Sequence, residues 1–588
     1  MSDFSRFVSQ HKAALIVSAV VGVTTVAGTV YYLNQQKQLP PTPPPSSKKS
    51  KNKRKKQNKK KKAEAKATLY PVDPQTGLPK ITDEIVNTLS DEEKSSWALS
   101  LKESGNEYFK KKDFETAIAY YTNALQCRID PVFYANRSAC YAALDKDDKV
   151  VEDTTEALKI NPSYNKCLLR RAHAYENMEK YPDAMFDLTA LTIHGGMSDH
   201  SNEVMLERVL KKHSLRIDQE EYSNLPKELP SASSLSSFFG AFAPPDIDLD
   251  ESKYEESTGA RFLVQGLNKV DLDTPEAYDE ADVLFNQAIS KFESDVDADK
   301  KMAALAYEYK GAFDFLKTDS ENGVIALNKS LELSPRPRAH VILGLIRADK
   351  SDAKGANEEF EAAVKLNDSD PDIYYHFGQM FYLVGDLASA QSNFEKAKKL
   401  NPNNVYAYIQ LACIAYRQGD AAACDELFKE AKLKFPTSPE VPNYYGEILF
   451  DRQNFQGAER QFDTAARLQQ ALPTFNIGCL PLINKSAIYQ REGNVDKCVE
   501  TLEAACELDS KSDVARSTLG QIYLQLQKVD EAIKLFEEAC KLSRSVEERT
   551  QCISLMEASK MQLKIREDPI LSQKVEEILR QAGVVPQA

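Results

Sequence analysis

The chain has 588 residues, 42% of them hydrophobic, and a net charge of −13, which is enough material for several domains or one extended array. The charge is divided unevenly: residues 1–66 carry 15 Lys and Arg against 2 Asp and Glu, leaving 60 against 86 on the other 522 residues, a net of −26. A body so acidic repels nucleic acid and attracts basic partners, so no nucleic-acid partner is expected.

After a short tail, 1–12, the stretch Ala13 to Leu33, "AALIVSAVVGVTTVAGTVYYL", runs 21 residues without a charge. At about 1.5 Å per residue it spans roughly 30 Å of hydrocarbon and predicts a single transmembrane helix, 13–33. A cleaved secretory signal is the alternative, but its apolar region is shorter, about 7 to 15 residues. The run "KKSKNKRKKQNKKKK", Lys48 to Lys62, puts 11 positive residues behind the helix. The positive side stays cytosolic, so a single-pass topology is expected, with the N-terminus across the membrane and the C-terminal body in the cytosol. Residues 34–89 read as a basic, Pro-containing tether, with "PPTPPP" at Pro40 to Pro45, able to touch anionic lipid headgroups. "SDEE" at Ser90 then offers an N-cap with Glu93 as its reciprocal partner.

From here a period of 34 fills the chain. With Pro402 at position 32, Gly378 falls at 8, Phe381 at 11, Ala390 at 20, Phe394 at 24 and Ala397 at 27. The same register recurs at Gly105, Tyr108, Ala117, Tyr121 and Ala124, at Ser138 and Ala157, at Ala172 and Ala184, and downstream through Gly446, Phe462, Gly520 and Phe536. Weaker copies sit at Gly311 and at Ala281, Phe285 and Ala288. Small residues at 8, 20 and 27 let two antiparallel helices approach closely, and the aromatic positions fill the space between pairs. These copies resemble tetratricopeptide repeats. The expectation is an all-α tetratricopeptide-repeat superhelix of about eleven helix pairs behind the transmembrane helix. Residues 90–199 form a first domain, 200–257 a connecting segment with a mobile loop, and 258–588 a C-terminal array. Within the connecting segment, Phe238, Phe239 and Phe242 are read as docking onto the repeats, because exposed aromatics are costly.

In such repeats positions 2, 5, 6 and 9 of the first helix line the groove. Lys102 and Asn106 occupy 5 and 9 of the first repeat, Asn136 is 6 of the second, and Lys166 and Arg170 are 2 and 6 of the third. This set resembles the dicarboxylate clamp of repeat domains that bind the Glu-Glu-Val-Asp terminus of cytosolic 70- and 90-kilodalton heat-shock chaperones. The chemistry fits, since a main-chain carboxylate beside an Asp carboxylate requires cations and amide donors to replace its hydration. In the C-terminal array the inward positions bring together Tyr375, Tyr382, Tyr406, Ile409, Tyr416, Glu440, Tyr444, Glu447, Phe450, Asp451 and Ile483. That wall, apolar and acidic, suits segments with an apolar face and basic residues.

The whole plan of anchor, basic tether, three clamp repeats, connection and long array resembles the fungal form of the 70-kilodalton receptor of the mitochondrial outer-membrane translocase. The resemblance implies an outer-membrane import receptor that docks the two chaperone classes, accepts precursor proteins in its C-terminal groove and hands them to other translocase subunits. A repeat co-chaperone anchored to the endoplasmic reticulum would keep the same clamp and is the alternative. No P-loop, dinucleotide-binding, nucleophile-elbow or zincin motif occurs, so no enzyme, cofactor or metal site is expected. The pair His194 and His200 is placed in a turn after the third repeat. The ten Cys form no C-x-x-C pair and are read as buried thiols.

Overall fold

The computed structural model describes residues 69–195 and 200–581. The expected tail, transmembrane anchor and most of the tether lie outside these residues. Among the described residues no helix is long and apolar enough to cross a membrane.

The described chain is all-α. A short helix α1 (Asp83–Asn87) precedes three pairs: α2 (Asp91–Lys110) with α3 (Phe114–Cys127), α4 (Pro131–Ala143) with α5 (Asp147–Ile160), and α6 (Asn165–Asn177) with α7 (Tyr181–Gly195). Two unpaired helices follow, α8 (His200–Ile217) and α9 (Ala232–Gly240). Eight further pairs begin with α10 (Gly259–Leu272) and α11 (Pro275–Ser294), α12 (Lys300–Leu316) and α13 (Ser320–Leu333), and α14 (Pro337–Asp349) and α15 (Ala353–Leu366). Next come α16 (Pro371–Val384) and α17 (Leu387–Leu400), α18 (Val405–Arg417) and α19 (Ala421–Lys434), and α20 (Glu440–Asp451) and α21 (Phe455–Ala471). The last pairs are α22 (Leu480–Glu492) and α23 (Val495–Leu508), and α24 (Asp513–Gln525) and α25 (Val529–Leu542), before α26 (Val546–Glu567) and α27 (Pro569–Gln581) close the described chain.

Local chemistry sets these boundaries. Ser90 and Glu93 form the expected reciprocal capping box at the start of α2. Asp113, Asp130, Asp352, Asp370 and Asp420 cap later helices by accepting a backbone N–H, each satisfying a donor the helix leaves open. Inside each pair the residue two before the second helix has left-handed backbone, as at Lys112, Asp145, Thr318, Gly385, Gly419 and Gln453. That single residue reverses the chain. Gly at the position costs no strain, whereas the others hold a conformation unfavourable to side chains bearing Cβ.

The 34-residue period has a direct packing cause. A Cβ on Gly378 would meet the Phe394 ring at 2.9 Å, and one on Gly446 would meet Phe462 at 2.5 Å. Position 8 is therefore small because the aromatic ring at position 24 of the same repeat lies flat over it. Tyr121, Phe285, Phe360, Phe394 and Phe462 are fully buried, seated on the first helix of their own pair, and as expected such rings also meet the neighbouring pair, Phe360 stacking on Phe377 and Phe428 on Tyr445, each at 4.8 Å.

The chain divides into two compact units. The first holds the described part of Met1–Glu220 together with Tyr523–Ile533 and Ile553–Ala588, and the second holds Glu221–Ile522 and Lys534–Cys552. The C-terminal helices thus depart from the single array expected over 258–588. Ala558, Met561, Ile565 and Leu571 are buried in one core with Leu188, Ile193, Leu206 and Val209. His213 lies 3.1 Å from Glu557, and Ser214 lies 2.9 Å from Ser554. The part of the connecting segment read as a mobile loop contains a helix, α9. Before it come α8 and a π-helical turn at Asp218–Tyr222. His194 belongs to the last turn of α7 and His200 opens α8, so the two do not share the expected turn. Of the ten Cys, eight are buried, and Cys413 and Cys506 are half-buried; none is in a disulfide.

Candidate functional site

In the first unit the clamp residues come from the first helices of three consecutive pairs. Asn106 on α2 and Asn136 on α4 are directly joined: the Asn136 amide donates to Asn106 Oδ1 at 3.3 Å, and Tyr121 O–H donates to the same oxygen at 2.7 Å. Arg170 on α6 reaches across to α4, donating through Nη1 to the Ala135 carbonyl at 2.6 Å and to Ser138 Oγ at 2.9 Å. It therefore grips the turn that presents Asn136. Lys102 precedes Asn106 by one turn of α2 and is half-buried, and Lys166 precedes Arg170 by one turn of α6 and is exposed.

The electrostatics of this face depend on what is missing from it. Among the described residues, Lys102, Lys166 and Arg170 form no ion pair. Burial holds the Arg170 pKa below the usual guanidinium range. Neighbouring arginines are treated differently. Arg137 is bidentate to Asp153 at 2.9 and 2.6 Å and donates to Thr122 Oγ1, and Arg171 repeats the arrangement one repeat later with Asp187, 2.7 Å at both contacts, and Thr155. Two arginines are neutralised as structural braces, and the one facing the groove is left to polar oxygens. A half-buried cation without a carboxylate partner, beside amide donors, has the chemistry that suits a carboxylate.

In the second unit the eleven groove residues fall into two groups. Tyr382, Tyr416, Tyr444, Glu447 and Phe450 are half-buried, and Asp451 is exposed. The Tyr416 hydroxyl donates to Asp451, Arg417 covers the Tyr382 ring at 4.5 Å, and Phe450 meets Phe455 edge-on at 5.4 Å. Glu447 Oε1 accepts from Asn443 at 3.1 Å and from Asn484 at 2.9 Å. The other residues are withdrawn from the surface. Tyr375 is 2% exposed and its hydroxyl accepts from Gln379 at 2.9 Å. Tyr406 packs beside it at 6.4 Å. Glu440, 4% exposed, accepts from Asn476 at 3.0 Å and from Ser438. Ile409 is completely buried among Cys424, Phe428 and Val441, and Ile483 is 9% exposed. These positions are covered in different ways: Ile409 by the neighbouring helices, Glu440 by Asn476 and Ser438, and Tyr375 and Tyr406 in a cluster that includes Ala241 and Phe242 of the connecting segment.

Asn484 escaped the sequence reading, although its position in the repeat, 6, is the one that Asn136 and Arg170 occupy. It donates to Asn443 at 3.1 Å as well as to Glu447. Positions 9 and 6 of successive repeats thus carry Asn106 with Asn136 in the first unit and Glu447 with Asn484 in the second. One geometry is used with opposite charge character.

Tetratricopeptide-repeat profiles match residues 371–404, 482–512 and 515–545. Over 548 residues the chain is 38% identical to the mitochondrial import receptor subunit Tom70 of Saccharomyces cerevisiae, covering 88% of each chain. It is 27% identical to the subunit of the same name from Rattus norvegicus over 80% of this chain and 79% of that one. The crystal structure of yeast Tom70 superposes with a TM-score of 0.55 at 41% identity, covering 82% of this chain and 100% of that chain.

Proposed function

Since the chain belongs to the family of the mitochondrial import receptor subunit Tom70, we propose that it is a receptor at the mitochondrial outer membrane. It docks cytosolic 70- and 90-kilodalton heat-shock chaperones through their acidic C-termini and takes the precursor they carry into a groove of the second unit, for transfer to other translocase subunits. The observation that carries the chaperone half is Arg170, half-buried, without a carboxylate partner and bound to the same turn of α4 that presents Asn136. An incoming terminal carboxylate supplies the missing counter-charge, and Lys102 and Lys166 at the rim steer it.

In the second unit the half-open tyrosines, Phe450 and the carboxylates of Glu447 and Asp451 offer apolar contact together with negative charge. That combination selects amphipathic segments with a basic face. Residues 13–33 supply the anchor and 34–68 the tether; the expected tether ends short of 89, because Tyr70 and Ile81 are buried in the core of the first helix pair. The clamp is tested by calorimetry with a peptide ending in Glu-Glu-Val-Asp. Binding to the unaltered chain, with loss on amidating the peptide's terminal carboxylate, is expected. Equal affinity for acid and amide would remove the clamp assignment.

A further inference from the structure

Residues 231–243 of the connecting segment pack against successive repeats of the second unit. Ser231, the N-cap of α9, bonds Asp509, and Ser236 donates to Asp273 at 2.9 Å. Asp273 is oriented in turn by the Tyr278 hydroxyl at 2.7 Å and the Asn476 N–H at 3.1 Å. Phe239 stacks on Tyr309 with centroids 5.9 Å apart and lies 5.2 Å from Phe313. Gly240 passes over Tyr406, where a Cβ would stand 3.4 Å from the ring.

Beyond the helix, the backbone itself is read. Asn404 Nδ2 donates to the Ala241 carbonyl at 3.2 Å. The Ala243 N–H donates to both oxygens of Asp372, at 3.0 and 3.1 Å, and the Ala243 carbonyl accepts from Arg338. Phe242, between them, lies 4.3 Å from His376 and has the Arg338 guanidinium 4.7 Å over its ring. Arg338 opens α14, Asp372 opens α16 and Asn404 precedes α18, so three consecutive repeats each send one polar side chain to the main chain of one short segment. Side chains that pair with backbone, alternating with pockets for aromatic rings, are how repeat grooves capture peptides in trans.

Two further features mark the segment as replaceable. The flanks, 223–230 and 244–258, contain no helix longer than the three-residue turn Glu251–Lys253, so α9 can leave without unwinding a repeat. The fit is also incomplete, because His376, 3% exposed, keeps Nε2 without any hydrogen-bond partner against this segment.

We propose that Arg338, Asp372, Asn404 and His376 form a peptide-recognition site, occupied in cis by residues 231–243, whose ligand in trans is an amphipathic helix that ends in an aromatic residue flanked by small ones. Resting on the client-binding reading above, the site is the part of the precursor groove that a client gains by displacing α9. A tethered occupant competes at an effective concentration set by its linkers, so it lowers client affinity by the fraction of time the site is filled.

The test uses the full chain and a labelled synthetic peptide of residues 229–245. The double variant Phe239→Ala with Phe242→Ala empties the site in cis. It should bind the peptide at least about tenfold more tightly than the unaltered chain does, and adding Asn404→Ala should abolish the gain. A cooperatively folded double variant with no gain overturns the proposal. Since that variant can fail to fold, hydrogen exchange on the unaltered chain gives an independent reading. A saturating amphipathic basic peptide should strip protection from the amides of 232–243, and undiminished protection beside bound peptide overturns the proposal. If the basic peptide does not bind at all while the 229–245 peptide binds the variant tightly, the client reading falls and the Arg338 site stands.

Discussion

Arg170 and Arg171 are consecutive residues of α6 with opposite electrostatic fates: Arg171 is bidentate to Asp187, and Arg170 meets only the Ala135 carbonyl and Ser138 Oγ. The sequence "RR" conceals a structural brace and a cation without a carboxylate partner, separated by the rotation of about 100° between successive helix positions.

That division predicts two distinct phenotypes. Arg171→Ala strands Asp187, whose carboxyl burial already pushes upward, and should cost about 3 to 5 kcal/mol of stability. Arg170→Ala should cost only about 1 kcal/mol of stability, for its two lost hydrogen bonds, and about 2 to 5 kcal/mol of binding to a Glu-Glu-Val-Asp peptide. Chemical denaturation and calorimetry on both variants check this; a melted Arg170→Ala protein would make that residue structural.

In the second unit, Glu447→Gln with Asp451→Asn should weaken binding of a basic precursor peptide and flatten its salt dependence, while chaperone-peptide affinity holds. Glu440→Ala should act otherwise. Its carboxylate is buried against Asn476 and Ser438, so it should lower stability by about 1 to 3 kcal/mol, the cost of leaving those donors unmet. Titrations at two salt concentrations, with a melt for each variant, distinguish the roles.

Gly378→Ala places a methyl 2.9 Å from the fully buried Phe394 ring. Overpacking of this kind should cost about 1 to 3 kcal/mol. Gln453→Gly, by relieving left-handed backbone at φ 61, should instead stabilise by up to about 1 kcal/mol. Urea titration of the two variants reads both signs.

Acid sensitivity should depend on His376 and Asp372 in opposite senses. Burial holds the His376 imidazole at about 3, below its ordinary 6.5, so it favours folding above pH 6.5 and that contribution is lost as pH falls. Burial pushes the Asp372 carboxyl up to about 6 from 3.8, so its contribution is present at low pH and lost as pH rises through 6. Between pH 4 and 6 the two oppose one another. His376→Gln should therefore gain stability over the unaltered chain by about 1 kcal/mol for each unit of pH lowered in that window, and Asp372→Asn should do the reverse. Denaturation at pH 4, 5, 6 and 7 tests it, and parallel profiles would refute the assignment.

Leu571→Ala, in α27, should loosen the clamp unit far away in sequence, at about 2 to 5 kcal/mol. Leu571 is 3% exposed in the core shared with Leu188 and Val209. Faster hydrogen exchange in α7 and α8 is the expected result, and unchanged exchange would mean that this contact contributes nothing.

The sequence by itself determined the repeat, its phase and its helix ends. Gly378 and Phe394, sixteen residues apart, encode a contact within one helix pair, and Ser90 and Glu93 encode a cap within one turn, so short spacings carry their own geometry. The contact of Asn106 with Asn136 and the reach of Arg170 to the same helix follow from register too, since register assigns a helix face. Tertiary structure decided what register cannot. It turned Ile409 and Tyr375 from groove to core, joined Glu557 to His213, and laid Phe242 on His376. Each of these depends on which surfaces meet after distant segments have packed, and a local period contains no term for that.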